Sequence, residues 1–499
     1  MHKLAGILLA LSSAAAIAQT SPVDGPIVLP QQWQAKTREL YKSAIEIPTV
    51  AGRGEHKRMA DYLAAQYRAN GWPAADIKVL PYESAGEKKY AFYARWPAAN
   101  ASGKKPILLI AHMDVVEAKR SDWVLDPFKF VEKDGYFYGR GTSDDKQGVI
   151  GTTAALFKLR AEGFKPSRDI IVFYTADEET GGDGARLGAT EWRKLLDAEY
   201  ALNADAGGGA WDRTGRSLGF GIQTAEKIYQ DYKFTATNRG GHSSRPRPDN
   251  AIYDLTGALN RLSQYRFRPA LTETSRAYYT ARARQEGDSP LGRAMRAWLA
   301  NSNDGAAADA IEANELEVGT TRTRCVATML QGGHAPNALP QKAEANVNCR
   351  ALPGSQGDAL TRELQEIAGP RVKVTPDGPF KPSPPSPLRP DVLGAYTKAV
   401  QTLYGPSVEV IPQMSTGATD GLFFRQVNIP VYGTDFSWGI SPDDERAHGL
   451  DERLPVRAMY NAVAGWEMLI RDVAGSGAAA TPPQAPEQPS APDQRGSAP

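Results

Sequence analysis

Cysteine is almost absent from this 499-residue chain, which contains only Cys325 and Cys349. Both lie far from the acidic and histidine-containing motifs described below, which excludes a structural zinc–cysteine knot. An excess of either charge is also absent, because the formal net charge is +1. A nucleic-acid or anionic-membrane partner is therefore not expected. No internal repeat is visible.

Long apolar runs are missing as well, except at the N-terminus. Met1-His2-Lys3 is followed by the apolar stretch Leu4–Ile17 and by the small residues Ala16-Ile17-Ala18. This order is typical of a secretory signal peptide, with a buried N-terminal helix as the alternative. No later stretch reaches the roughly 18 apolar residues that a membrane span needs. We therefore predict a secreted protein, periplasmic in a cell with two membranes, without a membrane anchor.

Apolar strands and helical patterns alternate towards both ends of the chain. Ile107-Leu108-Leu109-Ile110 and residues 169–174 are continuously apolar enough for strands buried on both faces, and residues 146–163 between them have helical spacing. This alternation predicts a doubly wound α/β catalytic domain. Residues 223–378 instead predict a smaller α+β sandwich inserted into it, with 270–312 as a polar, irregular insertion.

These patterns divide the chain into five segments. We predict a signal peptide (1–18), a first catalytic part (19–222), an inserted domain (223–378), a second catalytic part (379–474) and a tail (475–499). The tail consists mostly of Ala, Pro, Gln, Ser and Gly and has no large apolar residue, so it cannot bury enough surface to order itself. It is predicted to be disordered.

Residues that bind metals in other proteins follow the predicted strands. They are His112, Asp144, Glu178-Glu179, Asp205 and His448. Each alone has an ordinary alternative: a core histidine, a helix N-cap (which fits Asp145 better than Asp144), or an acidic pair on an exposed loop. Because parallel strands deliver their carboxyl ends to one sheet edge, together they predict a binuclear metal site. Histidine and carboxylate without thiolate suit zinc, cobalt or manganese.

The order of the motifs resembles the co-catalytic zinc metallopeptidase family twenty. That family includes aminoacylase, carnosinase, acetylornithine deacetylase, succinyl-diaminopimelate desuccinylase, glutamate carboxypeptidase and carboxypeptidase S. The motifs are H-x-D at 112–114, G-R-G-x-x-D-x-K at 139–146, D-E-E at 177–179, G-G-H-S-S at 240–244, N-x-x-P at 337–340 and the late His448. The resemblance covers about residues 32–473, and residues 112–146 are most similar to aminoacylase and carboxypeptidase S.

The resemblance implies a role for each residue of the metal site. His112 and Asp205 would hold one Zn²⁺, Glu179 and His448 the other, and Asp144 would bridge both; Co²⁺ or Mn²⁺ could replace zinc. Asp114 would orient His112. Glu178 would be the general base that deprotonates a water bridging the two metals.

The resemblance also implies how substrate is held. His242, in the inserted lid and dimerisation domain, would stabilise the tetrahedral oxyanion, often in a partner subunit's site, and this predicts a homodimer. Asn337, Arg350 and Gly417 would hold a substrate carboxylate, with a turn or surface role as the alternative for each. The implied activity is hydrolysis of an amide bond in dipeptides, short peptides or N-acyl amino acids that carry a free carboxylate.

Three departures from the family pattern bear on substrate identity. Asn348 stands where the family often has Asp, Gln147 follows the motif lysine in place of glycine, and 270–312 has no obvious counterpart. Two other functions remain open: a catalytically silent peptide-binding protein on the same scaffold, and a single-metal, aminopeptidase-like enzyme. The complete set of proposed ligands with Glu178 argues against a silent protein. A single-metal enzyme would bind one tight ion and require a free substrate amine.

Cys325 and Cys349 lie in two predicted strands, 321–330 and 344–351, joined by a loop centred near Asn337. The two cysteines are equidistant from Asn337 along the chain. A symmetric antiparallel hairpin would therefore place them opposite each other, within reach of a disulfide bond. The alternative is two buried free thiols, since register cannot be deduced from sequence alone.

Overall fold

The structure is a computed structural model that describes residues 23, 25–99 and 102–475. The predicted signal peptide and residues 476–499 of the predicted tail lie outside this range, and both stay predictions. Within the described part of the chain, no helix combines the length and the apolar character needed to cross a bilayer.

The helices that precede residue 265 belong to both parts of the fold. They are α1 (Gln31–Ile45), α2 (His56–Ala69), α3 (Lys146–Ala161), α4 (Asp183–Ala189), α5 (Arg193–Leu196) and α6 (Ala251–Gln264). The later helices are α7 (Glu273–Glu286), α8 (Pro290–Ala300), α9 (Gly305–Glu312), α10 (Gly357–Ala368), α11 (Pro390–Tyr404), α12 (Gly421–Gln426) and α13 (Val456–Ala474).

The strands fall into one large sheet and three smaller ones. Those before residue 240 are β1 (Ile77–Ser84), β2 (Glu87–Trp96), β3 (Ile107–His112), β4 (Val131–Lys133), β5 (Tyr136–Tyr138), β6 (Ile170–Thr175), β7 (Tyr200–Asp212), β8 (Ser217–Glu226) and β9 (Ile228–Thr237). Those after it are β10 (Gly241–His242), β11 (Arg324–Gly332), β12 (Ala338–Leu339), β13 (Lys342–Ala351), β14 (Val372–Asp377), β15 (Val410–Ser415), β16 (Val431–Ser441) and β17 (Arg453–Pro455).

The large sheet has eight strands in the order β1-β2-β6-β3-β7-β16-β8-β15. The pairs β6–β3, β3–β7, β7–β16 and β8–β15 are parallel. Alternate residues of β3 face opposite layers: Ile107 and Leu109 join the core of α1, α3 and α13, whereas Leu108 and Ile110 join that of α4, α5 and α12. Helices on both faces explain the continuously apolar strand and confirm the predicted doubly wound α/β class.

A second, antiparallel sheet has the order β11-β13-β9-β14. Helices α6 and α10 cover one face of it, around Tyr232, Phe234, Leu255 and Leu364. This sheet and its helices lie between two stretches of the large sheet, and β8 runs past the predicted boundary at residue 222. The inserted domain's predicted limits, 223–378, remain a prediction.

Residues 270–312 are not irregular, and this prediction was wrong. They form α7, α8 and α9, whose N-caps Thr272, Ser289 and Asp304 each accept a backbone hydrogen bond through the side chain. The three helices share a small core that includes Tyr279 and Trp298. Their short length and polar outer faces hid the pattern. Helix α7 packs on β15 of the large sheet, so this helical insertion returns to the catalytic part.

The boundaries of two other strands depend on their partners. Strand β7 continues through Gly207–Gly209 to Asp212, because the glycine run pairs with both β8 and β16. Residues 427–430 are apolar in part but form the turn after helix α12, and β16 begins at Val431, where it pairs with β7. In both places tertiary pairing determines a boundary that local composition does not show.

The β11–β13 hairpin has the predicted register. Cys325 lies opposite Cys349, and the two are joined by a disulfide bond with a Cα–Cα distance of 4.1 Å. The symmetric register holds as far as Ala327, where a β-bulge shifts the pairing. The predicted disulfide is therefore confirmed, and it closes the base of the loop that carries Asn337.

Candidate metal centre and substrate cleft

The predicted metal-binding residues converge at one edge of the large sheet. They lie at the carboxyl ends of parallel strands or in loops on the same side. In chain order they are His112 at the end of β3, Asp144 before α3, Glu179 after β6, Asp205 in β7 and His448 before β17. The fold thus brings together five residues that are far apart in the sequence.

Asp144 lies between the two histidines. One carboxylate oxygen, Oδ1, is 2.9 Å from His112 Nε2, and the other, Oδ2, is 3.2 Å from His448 Nε2. Asp205 approaches the first histidine at 3.5 Å, and Glu179 approaches the second at 3.0 Å. This is the arrangement expected of a carboxylate that bridges two cations, each with its own histidine and terminal carboxylate.

The cluster has more carboxylates than histidines, and this excess of negative charge favours the binding of cations. Burial alone would lower the pKa of His112, but Asp205, with Asp114 and Asp144, raises it well above the ordinary value. Hydrogen bonds that His448 donates to the carboxylates of Asp144 and Glu179 raise its pKa to about 10. Candidate ligand atoms of His112, Asp144 and Glu179 lie within 4.8 Å of one another. A set of imidazole nitrogens and carboxylates fits zinc, cobalt or manganese.

The Nδ1 atom of His112 is held by the residue predicted to orient it, Asp114, although not chiefly through its carboxylate. Nδ1 lies 3.1 Å from the backbone oxygen of Asp114 and 3.5 Å from its Oδ1. The carboxylate accepts the backbone N–H groups of Glu178 and Glu179, each at 3.2 Å. Asp114 therefore positions both a histidine and the acidic loop beside it.

Glu178 lies beside the metal cluster without belonging to it. Burial raises the pKa of its carboxyl well above the ordinary value, and the nearby Asp205 raises it further. The side chain lines a cavity of about 640 Å³ that also contains Glu179, Lys227 and Tyr229. A partly buried carboxyl group that prefers a proton is suited to general acid–base chemistry in this cavity.

Asp145 occupies the N-cap position of α3 but does not act as a cap, contrary to expectation. Its Oδ2 instead accepts the backbone N–H of His112 at 3.2 Å, and its Oδ1 accepts Gln147 Nε2 at 3.4 Å. A Cβ atom at Gly148 would lie 2.2 Å from Oδ1, so only glycine leaves room for this arrangement.

Glu452 is a buried residue of this site that the sequence did not suggest. Its carboxylate accepts the backbone N–H groups of Gly141, Ser143 and Asp144 and the Ser143 hydroxyl, and it pairs with Arg140 at 2.7 Å. It thereby holds the whole loop that presents Asp144. Its place shortly after His448 was the only available signal.

Arg350 and the loop that contains Gly417 meet beside the 640 Å³ cavity. The guanidinium lies 4.6 Å from the centre of the Tyr229 ring and donates to the Thr416 oxygen at 3.5 Å. Buried Glu226, also not predicted, fixes the end of this loop by accepting the backbone N–H and hydroxyl of Thr419. Lys381 lines this cavity and Arg350 lies beside it, together with the carboxylates of Glu178, Glu179, Asp231, Asp377 and Asp420. Burial lowers the pKa of Lys227, which also lines the cavity, to about 7.

His242 and Asn337 lie together but apart from the metal cluster. Strand β10 pairs His242 with Ala338, and the Ser243 N–H donates to the Asn337 oxygen at 3.0 Å. Both side chains are exposed, and among the described residues the recorded hydrogen bonds and ion pairs join neither to a metal-site residue. Their predicted roles in oxyanion and carboxylate binding therefore stay predictions.

Comparison with known proteins identifies the family of this chain. A family model described as Peptidase family M20/M25/M40 matches residues 108–472. The chain belongs to this family. The M20 chain is 28% identical over 454 residues to human N-fatty-acyl-amino acid synthase/hydrolase PM20D1, covering 87% of this chain and 88% of that protein. It is 27% identical to a probable carboxypeptidase S-like 2 of Dictyostelium discoideum, covering 77% and 74%.

A solved structure shares the fold of this M20 protein. The M20 family metallo-carboxypeptidase Sso-CP2 from Sulfolobus solfataricus matches with a TM-score of 0.63 at 19% identity, covering 89% of this chain and 99% of that one. The predicted family and fold are confirmed, and the protein is a hydrolase of the metallopeptidase and amidohydrolase type.

Proposed function

We propose that this M20 hydrolase cleaves the amide bond of dipeptides, short peptides or N-acyl amino acids with a free carboxylate, using two zinc ions. The proposal rests on the position of Asp144, whose carboxylate faces His112 through one oxygen and His448 through the other. Two relatives of this chain, an N-fatty-acyl-amino acid synthase/hydrolase and a probable carboxypeptidase, support the substrate class. The donor set also suits cobalt or manganese.

When bound, the two metal ions would polarise the scissile carbonyl group and acidify the attacking water. Glu178 takes the proton from that water and returns it to the departing amine nitrogen. Asp114 keeps Glu178 in place through the backbone N–H. The products are a carboxylic acid and a free amino acid or shorter peptide.

The 640 Å³ cavity would bind the substrate carboxylate through Arg350 at its side. Arg350 offers a planar fork for two parallel hydrogen bonds, and Lys381 adds positive charge nearby. Because Glu178 lines the same cavity, the amine formed on cleavage is released next to the group that protonates it. Asn337 and His242 would complete the site from an inserted domain, with His242 supplied by a partner subunit.

We also propose that the protein is exported and that it forms a homodimer. Residues 1–18 have the composition of a signal peptide, and sequencing of the mature N-terminus should begin at Gln19. Strand β11 is the open edge of the antiparallel sheet and exposes Val326, Met329 and Leu330 by 60–63%. A second copy of this chain would cover such an apolar edge.

Removal of metals and of Glu178 tests the activity. We expect a chelator to abolish hydrolysis of dipeptides and acyl amino acids, and Zn²⁺, Co²⁺ or Mn²⁺ to restore it. Glu178→Ala should keep two metal ions per chain but lose about 10²- to 10⁴-fold in kcat. Exposed Glu191→Ala is the matched control.

Three results would count against the proposal. Full activity after long incubation in excess chelator would exclude a metal mechanism, and near-normal kcat in Glu178→Ala would remove that residue from proton transfer. A single tight ion with a strict need for a free substrate amine would favour the aminopeptidase-like alternative. Blocking the substrate carboxylate should raise KM, and an unchanged KM would contradict the role of Arg350 and the 640 Å³ cavity in binding it.

A further inference from the structure

We propose that the helical insertion, residues 273–317, forms the subsite for an apolar acyl group of the substrate, and that Tyr278 sets the acyl length. This inference deepens the proposed function and rests on it. The insertion is a part of the chain for which the sequence offered no function. Its first helix, α7, packs on β15 at the edge of the catalytic sheet.

A cavity of about 400 Å³ begins at the metal-site residue Asp205 and ends at the insertion. Ser275, Tyr278, Tyr279 and Leu316 supply its outer wall. A larger cavity of about 810 Å³ adjoins it and shares Gly207, Tyr278, Leu316 and Gln413 with the first. The side chains of Tyr278, Leu316 and Gln413 therefore stand between the near cavity and the far one, and the first two belong to the insertion.

The position of Glu178 decides which half of the substrate enters this cavity. The proton carried by Glu178 must reach the amine nitrogen, which belongs to the half that bears the carboxylate. Glu178 lines the 640 Å³ cavity, beside Arg350, and does not line the cavity at Asp205, so the carboxylate half lies in the former. Thr419 lines both that cavity and the one beside Asp205. The acyl half, on the other side of the scissile bond, is directed past Asp205 towards the insertion.

The insertion is anchored firmly enough to select by shape. Thr274 Oγ1 in α7 lies 2.8 Å from Thr224 Oγ1 in β8, and Gln285 donates to Glu409 at 3.0 Å. The Tyr278 hydroxyl donates to Glu317 at 3.2 Å, which fixes the ring at the partition. A preorganised wall discriminates between ligands at little entropic cost.

The near cavity has apolar surface among polar side chains such as Gln223 and Gln413. Leu316, which is 76% exposed, and Met414 both line it. Covering such surface with an acyl chain removes apolar area from water from both partners. Each added methylene that becomes buried should raise affinity by about fourfold. The gain should stop where the chain meets Tyr278.

A series of N-acyl leucines with chains from acetyl to hexadecanoyl tests this inference, because only the acyl half changes. In the wild-type holoenzyme, kcat/KM should rise with chain length and then level off or fall. Tyr278→Ala should move this break to longer chains and raise the ratio of long-chain to short-chain kcat/KM at least tenfold. Tyr278→Phe, which keeps the ring, should leave the break where it is. Exposed Tyr253→Ala is the matched control.

Calorimetric titration of the same compounds into metal-loaded Glu178→Ala, with and without Tyr278→Ala, separates this inference from the proposed function. If no acyl leucine is hydrolysed by the wild-type enzyme, the proposed function fails for that class, while the Kd series still decides the subsite. The inference would be overturned if Tyr278→Ala left the chain length at which kcat/KM or affinity stops rising unchanged. It would also be overturned if Tyr278→Ala changed these values by the same factor at every chain length.

Discussion

Glu452 and Asp144 are linked through a loop rather than by contact between their side chains. Because Glu452 accepts the N–H groups of that loop, its charge decides where the bridging carboxylate is held. We predict that Glu452→Gln lowers metal affinity about 10- to 100-fold, as is usual for residues that support a ligand. The amide would present N–H groups to backbone donors and leave Arg140 without its partner.

Competition with a chromophoric chelator measures this change directly. Glu191→Gln, on the surface, is the control. A variant with unchanged metal affinity and lower activity would show that Glu452 supports substrate binding instead of the metal loop.

We predict that His448, as a metal ligand, makes metal binding depend on pH. In the metal-free protein, Asp144 and Glu179 raise its pKa to about 10, so the ring is protonated at neutral pH. A metal ligand must be neutral imidazole, and binding therefore releases this proton. The ion pairs stabilise the metal-free protein below the ordinary histidine pKa and are lost as the pH rises through about 10. Metal affinity follows the opposite trend and should rise with pH.

Titration calorimetry in buffers of different ionisation enthalpy counts the protons released. We expect His448→Asn to release fewer protons per metal bound than the wild type, and the exposed His334→Asn to release the same number. Metal affinity that stayed constant from about pH 6 to pH 9 would contradict this prediction.

Individual site residues could be predicted from sequence where a strand precedes them. His112 and Asp205 each belong to an apolar strand, so both their type and their place were predictable. Glu452 and Glu226 are buried carboxylates whose partners are backbone N–H groups of distant loops. No local sequence pattern distinguishes such a buried glutamate from one on the surface.

At the scale of elements, the β11–β13 hairpin shows how a covalent link bears on a loop. The disulfide between Cys325 and Cys349 closes the loop that carries Asn337. We predict that Cys325→Ala with Cys349→Ala costs about 2–4 kcal/mol in the free energy of unfolding of this domain. KM for carboxylate substrates should rise if Asn337 binds them.

Denaturant unfolding with and without reductant measures the stability change. The reduced wild type should match the double variant. Thiol titration of denatured, unreduced protein should find no free thiol, and two reactive thiols would contradict the disulfide.

The elements that could be predicted are those whose pattern spans a whole segment. Strand β9 alternates buried and exposed residues, and helix α6 buries residues three to four positions apart, in both cases along the full length of the element. Helices α8 and α9 are short, and their caps, Ser289 and Asp304, are also ordinary loop residues. The packing that makes them helical, around Trp298, is not visible in a local pattern.

At the scale of the whole molecule, the edge strand β11 allows a test of oligomeric state. Val326 and Leu330 are 60% exposed on an unpaired edge. We predict that Val326→Lys with Leu330→Lys shifts a wild-type dimer to monomer in light scattering, because like charges would oppose each other across the two-fold axis.

Metal content should be retained in this variant, and activity should fall if His242 acts in the partner's site. Val124→Lys, at an exposed apolar residue of the catalytic part, is the control. A wild-type protein that is monomeric and fully active would contradict the dimer.

Strand β16 enters the middle of the large sheet, between β7 and β8, although it is the last strand of that sheet along the chain. During synthesis, residues 208–211 of β7 can pair with β8 at once, but residues 201–203 of β7 must wait with an open edge until residues 431–433 have been made. Such edges invite pairing between nascent chains. A chain that stops before Val431 lacks both the central strand and His448. We expect it to aggregate rather than retain partial activity, so release of incomplete chains yields no single-metal enzyme.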